Sequence, residues 1–159
     1  MNLIKTASIF LLSVLSLNLY ASDNNSEKST TKLTPFIARP GAVINMDYSL
    51  FKEKIYDKTA SPDVWKYLGD KPCVIDFYTT WCGPCKRLAP VMEQIAEKYD
   101  GLINIYRIDA EKELQLSRMF NIRSYPTLMF IPMNGKPQIA IGALPKADLE
   151  KLISNILLK

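Results

Sequence analysis

The groups in this chain best able to do chemistry are two thiols with two residues between them, Cys82 and Cys85 in the run Trp81-Cys82-Gly83-Pro84-Cys85. At the start of a helix such a pair can close into a disulfide and reopen, exchanging two electrons with another protein's disulfide. Only the thiolate attacks, so the first cysteine must ionise near neutral pH, below the free-thiol value of about 8.5. The flanks supply the setting. Residues 73–78 (Cys73, Val74, Ile75, Asp76, Phe77, Tyr78) read as a buried strand entering the motif, and residues 86–99 read as a helix leaving it. Cys82 then falls at the helix N-cap, where unpaired backbone N–H groups and the positive end of the helix dipole favour the anion. That makes Cys82 the expected nucleophile. Cys85, one turn further on the same face, is expected to attack the mixed disulfide and release the reduced substrate. Pro84 suits the first helical turn, where a missing N–H costs nothing, and Gly83 permits close backbone approach.

Two other uses of the pair are weaker. Half of a zinc site would need two more soft ligands, yet the chain has no histidine and only one further cysteine, Cys73. A purely structural disulfide would close so small a ring that it removes little entropy from the unfolded chain. Cys73 itself reads as a small buried hydrophobe.

In order and spacing, Val74, Ile75, Asp76, Phe77 and Tyr78, then Trp81 to Lys86, then Tyr125, Pro126, Thr127 and Leu128, then Gly142 to Lys146 resemble the thioredoxin family. The resemblance spans residues 43–157. It implies an α/β thioredoxin fold, a central mixed β-sheet with helices on both faces, and no cofactor or metal beyond the Cys82–Cys85 disulfide. It further implies a cis peptide before Pro126, facing the dithiol. A flat substrate groove would then be made by Trp81, Gly83, Pro84, Tyr125, Pro126 and Gly142. Asp76 matches the family's buried acid behind the resolving cysteine. A carboxyl set between Ile75 and Phe77 should be desolvated, which raises its pKa and suits it to relay protons for Cys85. Two positions depart from the family pattern. Tyr125 replaces a small aliphatic residue, which would change the substrate segments that fit. Ile105 stands where a lysine near the buried acid is expected, so Asp76 should lack a compensating cation.

Residues 1–21 have the build of a secretory signal: Lys5, an apolar stretch from Ile9 to Leu17, then Ala21 before a polar run. Ser13, Ser16 and Asn18 break the stretch, which argues for cleavage after Ala21 over a retained anchor. Residues 22–34 carry too little apolar content to order themselves and read as a disordered lead-in, leaving residues 35–159 as one domain. A bacterial periplasm is the expected compartment. A formal net charge of +4, with no basic stripe and no cationic amphipathic helix, argues against nucleic acid or a membrane surface as partner. A monomer is expected.

Around the motif, residues 43–46 read as a strand, 48–57 as a helix with Leu50, Phe51 and Ile55 inward, and 61–69 as a short helical turn. This last stretch is expected to cap the sheet. Leu88, Val91, Met92, Ile95 and Tyr99 form the apolar stripe of the motif helix, with Pro90 a kink. Residues 102–108 read as a strand and 113–120 as a helix. Residues 127–131 and 138–141 read as a hairpin, and 148–158 as the last helix. The function this predicts is thiol:disulfide oxidoreduction, reducing or isomerising disulfides of exported proteins with electrons from a membrane donor. Alternatives are a dedicated reductant for haem attachment to cytochrome c, or a non-catalytic binding module of the same fold.

Overall fold

The computed structural model describes residues 40–159. The expected signal, residues 1–21, and lead-in, residues 22–34, lie outside the described residues. Five strands, β1 (Ile44–Asn45), β2 (Cys73–Tyr78), β3 (Asn104–Asp109), β4 (Thr127–Ile131) and β5 (Gln138–Ile141), make one sheet in the order β1-β3-β2-β4-β5. β1 and β2 run parallel to β3, while β4 pairs antiparallel with both β2 and β5. The central strand β2 is buried on both faces, as its near-continuous apolar sequence requires.

Each face has its own core. On one, Val74, Ile105, Leu128 and Phe130 pack against Leu88, Met92 and Ile95 of α2 (Gly83–Lys98). Leu149 of α4 (Lys146–Leu152), and Ile153 and Leu157 of the π-helical turn that continues it, close this core. On the other face, Ile75, Phe77, Met129 and Ile131 meet Phe51 of α1 (Tyr48–Lys54), Ile55 just beyond it, and Leu116 of α3 (Leu114–Met119). Asp47 caps α1 by accepting a bond from the Leu50 N–H at 2.8 Å. α2 continues through Pro90, whose ring takes an exposed position.

The expected helical turn at residues 61–69 is not helical. Trp65 and Tyr67 turn inward while Lys66 and Leu68 face solvent, a period of two that belongs to extended chain. This strap does cap the sheet. Trp65 stacks on Tyr56 with ring centroids 4.7 Å apart and meets Phe120 edge-on, and the Leu68 N–H donates to the Ile55 carbonyl. Elsewhere the helix expected at 48–57 stops at Lys54, and the strand expected at 43–46 shortens to two residues. Strand β3 begins two residues late, at Asn104, and the last helix begins early, at Lys146.

Trp65→Ala should therefore destabilise the domain by about 2 kcal/mol, since it removes the aromatic packing that ties the strap down. Urea unfolding of the two proteins measures this, and Lys66→Ala on the solvent side should stay within about 0.5 kcal/mol of the parent.

Candidate active site

The site is set by where α2 starts. Cys82 is its N-cap, with extended backbone, and its Sγ accepts a hydrogen bond from the Cys85 N–H at 3.1 Å. Cys82 and Cys85 are joined as a disulfide, with their Cα atoms 5.3 Å apart. Both are buried, while Trp81, Gly83 and Pro84 are exposed around them. The third cysteine, Cys73, is fully buried, and burial pushes its thiol up to about 12, so it stays protonated at neutral pH.

Opposite the motif, the Tyr125–Pro126 peptide is cis. The β2–β4 register, with Phe77 against Thr127, puts Pro126 beside the end of β2 from which the motif leaves. Gly142 adopts φ 94°, a left-handed conformation that side chains resist, and its N–H donates to the Pro126 carbonyl at 2.8 Å. Gly142 therefore braces the proline loop. Trp81 is two-thirds exposed yet held: its Nε1 donates to Glu111 Oε1 at 2.9 Å, and its ring meets Tyr125 edge-on at 6.1 Å. Thr80 Oγ1 donates to the other oxygen of Glu111 at 3.3 Å. Nothing in the sequence marks Glu111 for this part, because it lies thirty positions from Trp81 and is brought there by the parallel pairing of β2 and β3.

Asp76 is 2% exposed, on the same face of β2 as Val74, the face that α2 covers. Burial pushes its carboxyl up from 3.8 to about 6, against the opposing pull of Arg107. The expectation that Asp76 lacks a cation because of Ile105 is overturned. In the β2–β3 register Ile105 pairs with Val74 in the core, and Arg107, two residues on along the same face, pairs with Asp76. The guanidinium of Arg107 stacks over the Tyr78 ring, 3.9 Å from its centroid, and its Nε has no hydrogen-bond partner. Asp76 Oδ1 likewise has none. Arg107, Tyr78 and Cys85 together line a cavity of about 260 Å³, which connects the resolving cysteine to the cation paired with Asp76. Its lining is mostly apolar, and its volume has room for water beside the resolving cysteine.

The sequence model of the Thioredoxin family matches residues 52–155. The chain belongs to the thioredoxin family. It is 39% identical over 105 residues to a thioredoxin of Borreliella burgdorferi, covering 66% of this chain and 89% of that one. Against thioredoxin 1 of Nostoc sp. it is 33% identical over 107 residues, covering 67% and 90%. Among solved structures, a chloroplastic thioredoxin z superposes with a TM-score of 0.60 at 28% identity, over 72% of this chain and 93% of that one. This thioredoxin-family chain is a disulfide oxidoreductase, and its electrons are carried by the cysteine pair with no further cofactor.

The raised Asp76 pKa fixes a stability profile. The native state binds this proton more tightly than the unfolded chain, so the group's contribution is fully present below about pH 3.8 and is lost as pH rises through about 6. A shift from 3.8 to about 6 corresponds to about 3 kcal/mol. Paired urea titrations from acidic to alkaline pH should show this decline in the parent and its absence in Asp76→Asn. Arg107→Met removes the opposing pull and should move the midpoint of the decline upward; an unmoved midpoint would show that the two groups do not interact.

Proposed function

We propose that this thioredoxin-family oxidoreductase works as a reductant of disulfides in exported proteins, in a bacterial periplasm, and is itself re-reduced by a membrane electron donor. The observation that carries the reductive chemistry is the placement of Cys82 as the N-cap of α2, with its sulfur on a backbone N–H. The export reading is supported by the leader-like pattern of residues 1–21.

The reaction follows from the placement. In the reduced protein the Cys82 thiolate, favoured by the helix terminus, attacks one sulfur of the substrate disulfide and displaces the other as a thiolate, which takes up a proton. The exposed Gly83, Pro84 and Trp81, together with the half-buried Tyr125 and Gly142 on either side of the buried Pro126, offer backbone and flat apolar surface to the substrate strand. Cys85 then loses its proton and attacks Cys82 Sγ, which expels the second substrate thiol and leaves the disulfide seen here. Two electrons and two protons pass to the substrate. Asp76, buried on the face of β2 that α2 covers and with its carboxyl lifted to about 6, is partly protonated near neutrality and so suits exchange of the Cys85 proton.

The order of attack is tested by trapping. Cys85→Ser should accumulate mixed disulfides with substrates, because the first thiolate is present and the resolver is not, whereas Cys82→Ser should accumulate none. Equal trapping by both variants would overturn the assignment. Export is tested separately, by N-terminal sequencing of the protein recovered outside the cytoplasm. A start near Ser22 is expected, and an intact Met1 in the membrane fraction would sink the cleaved-signal reading.

A further inference from the structure

Beside Tyr125, the residue that precedes Pro126 and meets the Trp81 ring, lies a cleft of about 300 Å³ that the electron transfer itself does not use. Its apolar wall is Leu114, Ile122 and Tyr125, and its rim carries Arg118 and Arg123. The local fold makes it. α3 ends at Met119, Asn121 takes φ 52°, and the Ile122 N–H returns to the Ser117 carbonyl at 2.8 Å, so that both arginines flank one depression. Arg123 Nε donates to Asn121 Oδ1 at 2.9 Å, which holds the guanidinium in one orientation.

The charge there is not balanced. Both arginines are exposed, and among the described residues neither forms a salt bridge, since the ion pairs involve Lys52, Lys54, Lys98, Lys112 and Lys151. Lys86 and Arg87, exposed just after Cys85, are equally unpaired. Glu111, the carboxylate bonded to Trp81, has both oxygens engaged by Trp81 and Thr80. Tyr125 belongs both to the cleft wall and to the peptide preceding Pro126, and its ring touches Trp81. A substrate strand lying along the proline loop would thus pass the cleft mouth and could drop one side chain into it.

We propose that this cleft is a side-chain subsite for the disulfide-bearing protein substrate, and that it selects an acidic residue flanking the substrate's cysteine. The carboxylate would pair with Arg118 and Arg123, and its methylene stem would lie on Tyr125 and Ile122. The selection rests on the oxidoreductase activity of the same site and adds to it a substrate class.

Two disulfide-linked reporter peptides, identical except for Glu or Gln beside the cysteine, test this through kcat/KM at low and high salt. At low salt the Glu peptide should be favoured by about fivefold, and the ratio should fall towards one in 0.5 M salt, because the pair is solvent-exposed. Arg118→Gln with Arg123→Gln should bring the ratio to one at low salt, and Arg118→Lys with Arg123→Lys should restore part of the preference. Equal rates for the two peptides in the parent overturn the proposal, as does a preference that survives both glutamines. A double variant that loses both peptides alike, with the preference retained, would also overturn it by making the arginines structural. Failure of the parent to reduce either peptide would instead refute the oxidoreductase activity and the subsite with it.

Discussion

The hydrogen bond from the Cys85 N–H to Cys82 Sγ is the constraint on which the rest of the site depends. It exists because α2 begins at Gly83, leaving Cys82 as the cap where backbone donors have no helical partners. α2 is in turn fixed by Leu88, Met92 and Ile95, which seat it on Val74, Leu128 and Phe130 of the sheet. A one-residue slip between β2 and α2 would rotate the two sulfurs by about 100° about the helix axis and lose the cap. The packing of one sheet face therefore decides the chemistry at the end of one helix.

Two electrostatic effects then act on the pair in opposite senses. A backbone N–H binds a thiolate more strongly than it binds a disulfide sulfur, so the cap favours the reduced, ionised form of Cys82. A carboxylate under the same helix would oppose that anion, but burial keeps Asp76 partly protonated near neutral pH. The result depends on how weakly Arg107 engages it. Arg107 is spent on the face of Tyr78, and neither its Nε nor Asp76 Oδ1 finds a hydrogen-bond partner. The attraction is then through space only, and desolvation wins. A direct ion pair would have held the carboxyl low and removed it from proton exchange at the pH where the dithiol works.

Strand β2, the β4–β5 hairpin and the start of the motif helix were legible in the sequence because local pattern alone specifies them: an apolar run, an Asn134-Gly135 turn, and a cysteine followed by glycine and proline. The strap at residues 61–69 was not, since its inward residues are chosen by tertiary packing, Trp65 on Tyr56 and Phe120 and Tyr67 on the same core, which the linear sequence does not bring together. The cation near Asp76, expected to be missing because position 105 is Ile, is supplied by Arg107 for a related reason. Which β3 residue faces Asp76 is a matter of register, and a shift by two keeps the face while changing the partner. Glu111 carries no local signal at all, as its contact with Trp81 joins two loops that only the sheet aligns.

That alignment explains why so many short connections converge on one edge of the sheet. β2, β3 and β5 point the same way and deliver their C-terminal ends there, while antiparallel β4 delivers its N-terminal end. Trp81 follows β2, Glu111 follows β3, Tyr125 and Pro126 precede β4, and Gly142 follows β5. The connections at residues 99–103 and 132–137 lie at the opposite edge. Changes of side chain on the first group, such as an aromatic at Tyr125 or arginines at the end of α3, alter what the dithiol meets without disturbing the cap that makes it reactive. The sheet separates the electron-transfer chemistry, held by α2 and its core, from the recognition surface, held by the loops around it.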